Sequence, residues 1–226
     1  PLPAPTIVVD TLAPGVWAIA GQSHHTIAIE QSNQIVLVES PQSDARALAA
    51  IAKSRELRPG KAPTFVINTH HHFDHAGGFR AAVSQGLTVI THQGNRDFYE
   101  RTVYPRRHTM QPDALAQNPK PLRLMPVGDR YVMRDSLRTI EIYQVPGNPH
   151  NGNMLVVYLP AEKILIQADM YNPPAAGAPP PPGFPFVANL LETIQRRGLQ
   201  VDRVVGIHGR PVPLSELQAA AAPRTP

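Results

Sequence analysis

Short apolar runs rich in valine and isoleucine recur along the 226-residue chain, and they constrain its fold more than any other feature. Runs of this length, bounded by turn-forming residues, are typical of β-strands. They are TIVVD, VWAIA, HTIAIEQ, QIVLVES, TFVIN, LTVIT, LRTIEIYQV, NMLVVYLP, KILIQAD and RVVGIH. Helical spacing or helix-like composition lies between them at 43–55, GGFRAAVSQG, 93–103, 187–197 and 214–221. The pattern predicts one α/β domain over residues 1–226.

Composition excludes several classes of protein. A hydrophobic content of 42% with 17% charged residues is typical of a folded globule. The net charge of +4 is modest and the arginines are scattered, so we expect no nucleic-acid partner. No apolar run approaches the ~20 residues of a membrane span, which predicts a soluble protein without a membrane partner. The absence of cysteine excludes disulfides, thiolate metal ligands and cysteine nucleophiles.

Two segments bear on surface and location. The proline-rich stretch 173–185 cannot continue a strand or helix, so we predict a semi-rigid surface loop there. The chain begins PLPAPT without a methionine, which is compatible with removal of an export signal. A periplasmic or secreted location and a cytoplasmic one both fit, with a slight preference for the periplasm. The oligomeric state is left open.

The stretch THHHFDHAGG follows a predicted buried strand and concentrates potential metal ligands. Residues two positions apart in an extended chain point to the same side, so His70 and His72 can both reach one cation. A bend after His72 could carry Asp74 and His75 towards a second cation. His71 lies between the two inward positions and should point elsewhere.

Three further candidate ligands stand where predicted strands meet loops. His150 precedes the strand NMLVVYLP, Asp169 ends KILIQAD and His208 ends RVVGIH. Sites in α/β proteins gather at such strand ends. Taken singly, each of these residues is more often structural, and they are candidates because the histidine-rich loop needs partners.

These motifs resemble the metallo-β-lactamase superfamily. THHHFDHAGG is similar to its histidine-rich loop, and VVYLPAEKILIQADM and GIHGRP are similar to its later aspartate and histidine passages. The resemblance implies a four-layer αββα sandwich of two mixed sheets flanked by helices. It also implies a first metal site of His70, His72 and His150, a second of Asp74, His75 and His208, and Asp169 as the bridge.

Nitrogen and oxygen ligands of this kind suit two Zn²⁺ ions per chain, and Fe or Mn would also be accepted. Two cations outweigh the charge of two carboxylates and a bridging hydroxide, so bound water should ionise near pH ~7. We expect a metal-dependent hydrolase in which hydroxide attacks an ester, lactone, thioester, amide or phosphoester of a small molecule. Metal-bound water or Asp74 would protonate the leaving group.

Alternatives remain at this stage. β-Lactam hydrolysis as the native activity is open, although the family's cysteine-ligand lactamases are excluded and its other lactamases usually lack a bridging aspartate. A mononuclear iron oxidoreductase similar to persulfide dioxygenases is a second alternative, and a non-catalytic metal-binding domain is a third. Few residues follow His208, so the helical substrate domain of glyoxalase-type thioesterases is not expected.

Other polar residues receive no firm role. His25, His92 and His108 are left as ordinary histidines, and so is His24, although a hairpin carrying His24 and His25 could reach the rim of the site. Tyr171, Asn151 and the proline-rich loop are weak candidates for the substrate pocket. Gly77 and Gly78 either allow another segment to approach the ligand loop closely or simply separate strand from helix.

We predict that His72→Ala will lose bound metal and activity far more than His71→Ala, because alternation points only His72 inward. Elemental analysis and turnover of the two purified variants provide the measurement. His71→Ala is the matched control, being the same change one residue away. Equal losses in the two variants would contradict the ligand assignment.

Overall fold

Two β-sheets with helices on their outer faces make up the computed structural model, which describes residues 5–21, 23–107, 111–175, 178 and 185–221. The strands of the first sheet lie side by side in chain order: β1 (Val8–Ala13), β2 (Val16–Gly21), β3 (His24–Glu30), β4 (Gln34–Val38), β5 (Ala62–Ile67), β6 (Thr88–His92) and β7 (Leu124–Val127). Those of the second do the same: β8 (Arg130–Arg134), β9 (Thr139–Gln144), β10 (Leu155–Leu159), β11 (Ile164–Gln167), β12 (Arg203–Gly206) and β13 (Val212–Pro213).

Both sheets are mixed. In the first, β1 to β4 pair antiparallel and β4 to β7 pair parallel. In the second, β11 and β12 pair parallel and the other neighbours pair antiparallel. The helices are α1 (Asp44–Leu57), α2 (Phe73–Ala76), α3 (Phe79–Ser84), α4 (Arg96–Phe98), α5 (Ala114–Gln117), α6 (Pro185–Arg196) and α7 (Leu214–Ala221).

Burial on both faces explains why the apolar runs are continuous rather than alternating. In β4, Val36 and Val38 face the second sheet, whereas Ile35 and Leu37 pack under the helices of the first. On the far side, α6 and α7 cover the outer face of the second sheet through residues such as Leu190. Three apolar layers therefore separate four layers of secondary structure, and the predicted αββα sandwich is confirmed.

Several element boundaries differ from the predicted ones. β11 ends at Gln167 and β12 at Gly206, so two candidate ligands lie two residues beyond their strands rather than at their ends. The predicted helix 93–103 is a 3-10 turn, α4 and a π-type turn in succession. β7, β8 and β13 are not among the predicted strands, and each lies at a sheet edge, where proline and charge are tolerated.

Some expectations fall outside the described residues. His108 and most of the proline-rich stretch 173–185 belong to the parts of the chain that the structure does not describe. Within the described ranges, no helix has both the length and the apolar composition needed to cross a membrane.

Two backbone hydrogen bonds join the sheets along one edge. The Leu155 amide donates to the Thr69 carbonyl at 2.8 Å, linking the start of β10 to the end of β5. The His25 amide donates to the Ile207 carbonyl at 2.8 Å, linking β3 to the loop after β12. Loops from both sheets therefore meet at this edge.

Helix α1 supports the same edge from behind. Ser43 caps the helix by accepting the Arg46 amide, and Asp44 stands in its first turn. A side chain at Gly77 would collide with the Gln42 carbonyl, and one at Gly78 would collide with the Ala47 side chain. The two glycines are therefore required for close approach of α1 to the loop that follows β5.

Arg46 reaches from α1 to the β2–β3 hairpin and is almost fully buried. Its guanidinium donates to the carbonyls of Ile19 at 2.6 Å, His24 at 3.2 Å and Gly21 at 3.3 Å. Burial lowers the pKa of Arg46 to about 10, so it stays charged at neutral pH. Arg46 thus fixes the position of the hairpin.

We expect Arg46→Met to lower the free energy of unfolding by about 3 kcal/mol, because buried carbonyls lose their donor. Arg55→Met is the control, since Arg55 is exposed in the last turn of the same helix and its loss should cost about 0.5 kcal/mol or less. Urea unfolding of the two variants measures the difference. Equal losses would show that Arg46 does not hold the hairpin.

Candidate metal centre

Eight histidine and aspartate side chains converge at the edge where the sheets join, in two groups. The first group is His70, His72, His150 and Asp169, and the second group is His24, Asp74, His75 and His208. Within each group, one potential ligand atom from each residue lies within 4.8 Å of the others. The seven predicted ligands are thus brought together, with His24 added.

The first group is built on the end of β5 and the loop between β9 and β10. His70 is fully buried, and its Nδ1 lies 3.1 Å from Thr69 Oγ1. The His150 amide donates to the Asn148 side chain at 3.0 Å, and Asn148 in turn donates to Asn189 of α6 at 2.9 Å. The His150 loop is therefore fixed to the helix behind it.

The second group draws on α2 and the loop after β12. The four residues of α2 carry Asp74 and His75, so the bend expected after His72 is one helical turn. His75 Nδ1 lies 3.6 Å from Glu39 Oε2, and His208 Nδ1 lies 3.1 Å from the Ser23 carbonyl. The Ser23 carbonyl only accepts hydrogen bonds, so His208 Nδ1 carries the proton and its Nε2 faces inward. His75 Nε2 likewise lies toward Asp169 and His208.

Asp169 belongs to the first group and also contacts histidines of the second. Its Oδ2 is 3.1 Å from His150 Nε2 and 3.4 Å from His70 Nε2, and its Oδ1 is 2.9 Å from His208 Nε2. His75 Nε2 is 3.0 Å from Oδ2. One carboxylate therefore contacts histidines of both groups.

The backbone at Asp169 adopts the left-handed conformation, with φ of 61°. Aspartate is one of the few residues that enter this region readily. The buried side chain of Gln167 shapes the turn, accepting the Met170 amide at 3.0 Å and donating to the Tyr171 carbonyl at 2.7 Å. Gln167 thus sets the direction of the Asp169 side chain.

The charges of the site favour a cation. Burial alone would raise the pKa of Asp169, but hydrogen bonds from His208, His70 and His75 hold it far below its ordinary value. Burial lowers the pKa of His75, yet Asp169 and Glu39 outweigh burial and raise it to about 10. The Asp169 carboxylate thus stays ionised and attracts positive charge to the His75 position.

Every other histidine with a resolved shift has a lowered pKa, which favours the neutral imidazole. Burial is the main cause that lowers the pKa values of His24, His70 and His72. A neutral imidazole whose Nδ1 carries the proton presents the Nε2 lone pair, which is the form that binds a metal ion.

The short distances between the Nε2 atoms of the site fit a bound metal ion. His70 Nε2 and His150 Nε2 are 3.3 Å apart, and so are His75 Nε2 and His208 Nε2. Two Nε2 lone pairs at that distance repel unless a proton or a cation lies between them. Imidazole nitrogens gathered around a carboxylate, with no sulfur ligand, are typical of zinc sites and also accept iron or manganese.

The histidines outside the groups behave in different ways. His71 turns away as predicted: its Nδ1 lies 3.2 Å from Asn151 Nδ2 and its ring packs on Phe98. His25 and His92 belong to neither group. Tyr171, a weak pocket candidate, is instead buried with its hydroxyl donating to Glu216 at 3.1 Å.

Sequence reasoning missed His24 as a member of the site. Adjacent histidines at the start of a hairpin were the available signal, but which of the two points inward depends on the pairing of β2 with β3. Glu39 was also missed, although a carboxylate ending the apolar strand QIVLV is unusual enough to mark it.

A cavity of about 630 Å³ opens beside the first group. Its walls include His71 and His72, and most of the lining surface is apolar. The other lining residues are Asp44, Phe73, Ala76, Gly77, Arg80, Phe98, Thr102, Val103, Arg106 and Asp113. A cavity of this size holds a small molecule.

Solved structures resemble this one over nearly the whole chain. A metallo-beta-lactamase from Pontibacter korlensis is 18% identical, with 96% of this chain and 97% of that chain covered and a TM-score of 0.72. One from Hirschia baltica is 19% identical, with 97% and 99% covered and a TM-score of 0.68. FIM-1 from Pseudomonas aeruginosa, in its mono-zinc form, is 18% identical, with 97% and 95% covered and a TM-score of 0.68. At these identities the likeness concerns the fold.

The family is shown by the sequence itself. A model of the metallo-beta-lactamase superfamily matches residues 5–206, which include six of the seven predicted ligands and stop just short of His208. Together with the sandwich and the two ligand groups, this match shows that the chain belongs to the metallo-beta-lactamase superfamily.

Proposed function

We propose that the protein is a hydrolase of small molecules that uses two zinc ions. His70, His72 and His150 would bind one ion, and Asp74, His75 and His208 the other. The observation that carries the proposal is the Asp169 carboxylate, which lies within hydrogen-bonding distance of histidines from both groups. Such a residue can bridge two cations through its two oxygens.

When bound, two such cations lower the pKa of water towards ~7 and stabilise negative charge on a carbonyl or phosphoryl oxygen. The chain contributes the fixed positions of the ligand atoms. Thr69, Glu39 and the Ser23 carbonyl each contact the Nδ1 of one histidine, so that its Nε2 stays aimed at the centre.

Asp74 is the group proposed to move the proton. The charge of His75 and a hydrogen bond from His24 outweigh the effect of burial and lower the pKa of Asp74, which is therefore ionised. Its side chain is 44% exposed, whereas that of Asp169 is 13% exposed. A carboxylate at the open side can accept a proton from the attacking water and return it to the leaving group.

The cavity beside the first group indicates the kind of substrate. Phe98 and Val103 line it, and Arg106 adds a positive charge. An ester, lactone or thioester with an apolar acyl group would place its carbonyl near His72 and its chain along these side chains. We therefore propose acyl compounds as the substrate class, with β-lactams as a secondary possibility.

The second group distinguishes this proposal from a mononuclear iron oxidoreductase. A single iron site needs only the first group. Four more potential ligands nevertheless converge, with His24 and Asp74 separated by 50 residues in sequence and His75 and His208 by 133. A complete second set favours two cations. β-Lactam hydrolysis is the activity named for the similar structures, but their identity below 20% extends only to the fold.

The test compares the wild-type protein with Asp169→Ala and the exposed control Asp202→Ala. We expect two zinc ions per chain in wild type and control, and one or fewer in Asp169→Ala, because the bridge is lost. Turnover should fall by ~10²-fold or more. Elemental analysis and a chromogenic ester, lactone, thioester and cephalosporin panel give both readouts.

Other outcomes would replace the proposal. One iron per chain with oxygen consumption would indicate an oxidoreductase. Bound metal without turnover on the panel would indicate a non-catalytic metal-binding domain. Turnover of cephalosporins alone would make β-lactam hydrolysis the native activity. If Asp169→Ala still bound two metal ions per chain, Asp169 would not be the bridging ligand.

We predict that Phe98→Ala will raise KM for an octanoyl ester about five- to tenfold, with little effect on an acetyl ester, because only the longer chain reaches the ring. Tyr131→Ala is the control: Tyr131 is 37% exposed and Phe98 38%, but Tyr131 lies on β8, in the other sheet. Steady-state kinetics on both esters measure the effect. If Phe98→Ala changed KM equally for the two esters, the acyl chain would not lie against Phe98.

A further inference from the structure

His24 has the position of a ligand rather than of a neighbour. It begins β3, is almost fully buried, and lies in the second group with its Nε2 3.3 Å from Asp74 Oδ2. Its ring stands edge-on to that of His208, with centroids 4.0 Å apart, and 5.2 Å from that of His75. Three imidazoles and a carboxylate therefore surround one point.

The other ring nitrogen of His24 is already engaged. Its Nδ1 lies 2.9 Å from Ser23 Oγ, and that hydroxyl accepts a hydrogen bond from Gln42 Nε2 at 3.3 Å. This is the same division seen in His70, His75 and His208, where Nδ1 meets a neighbouring oxygen and Nε2 faces the centre. Ligand histidines are oriented in this way.

The hairpin that carries His24 is held in place before any cation binds. The buried guanidinium of Arg46 donates to the His24 carbonyl at 3.2 Å. The next amide, that of His25, donates to the Ile207 carbonyl at 2.8 Å, one residue from His208. Both restraints act on the backbone directly beside the imidazole, so its Nε2 is preorganised.

We propose that His24 binds the cation of the second group through Nε2, which rests on the proposed binding of two cations. The second group then supplies three imidazoles, the Asp74 carboxylate and a share of Asp169. The first group supplies three imidazoles and its share of Asp169. The second position therefore offers one protein ligand more than the first, so we expect it to bind its cation more tightly and to fill first.

The asymmetry assigns different tasks to the two positions. A zinc ion with a full set of protein ligands is structural in character, whereas a catalytic zinc keeps a position open for water or substrate. The cavity is lined by His72 of the first group and by none of the four residues of the second group. Substrate would therefore bind on the side of His72, while His24, Asp74, His75 and His208 would hold the other cation.

The decisive experiment is NMR of the full-length wild-type protein loaded with cadmium-113, which couples through the metal–nitrogen bond to the ring protons of ligand histidines. At one equivalent we expect couplings to His24, His75 and His208. At two equivalents we expect additional couplings to His70, His72 and His150. His25, the adjacent histidine, should show none.

Absence of coupling to His24 while His75 and His208 are coupled would overturn the inference and leave the two-cation proposal intact. Failure to bind cadmium at all would overturn both. Because the measurement uses the wild-type protein, it does not depend on the folding of a variant.

A variant series separates ligation from a hydrogen bond to Asp74. Competition titration with a chromophoric chelator should show His24→Ala weakening the tighter of the two cadmium affinities by about 10- to 100-fold or more. His24→Gln should weaken it as well, because an amide can hydrogen-bond to Asp74 but is a poor metal ligand. His25→Ala should match wild type. If His24→Gln bound cadmium as tightly as the wild type, His24 would position Asp74 rather than bind the cation.

Discussion

Two backbone hydrogen bonds make the rest of the site possible. The bonds from Leu155 to Thr69 and from His25 to Ile207 join the two sheets along one edge. Each lies within two residues of a candidate ligand, so the distance between sheets at that edge is set by backbone geometry rather than by the ligands. Ligands from separate parts of the chain can then meet without the cation having to pull the sheets together.

A second constraint is electrostatic. The interior at this edge holds the Asp169 carboxylate, 13% exposed, beside imidazoles. Burying such charges is costly unless opposite charge is near. Without a metal ion the protein meets this need by protonating His75, whose pKa is raised to about 10. A divalent cation would supply more positive charge beside the buried carboxylate than a protonated His75 does. Folding and metal binding therefore favour the same arrangement of these side chains.

Much of this could be predicted from sequence, for reasons that differ by residue. Alternation along an extended chain separates His72 from His71, and strand ends bring in His150, Asp169 and His208. His24 could not be predicted, because its direction depends on a hairpin held by Arg46, a contact between distant segments. β7 and β8 carry proline and arginine at sheet edges, so they lack the apolar pattern that identifies the interior strands.

The left-handed backbone at Asp169 has a consequence for which residues the position accepts. Most side chains pay about 1–2 kcal/mol to adopt that conformation, and aspartate and asparagine are among the exceptions. Of these two only aspartate brings a charge and two equivalent oxygens. Glutamate at position 169 would carry that cost, as Glu39 does with φ of 71°, and its longer side chain would also move the carboxylate. The turn therefore makes most substitutions at position 169 unfavourable for the backbone, whether or not the new side chain could bind a cation.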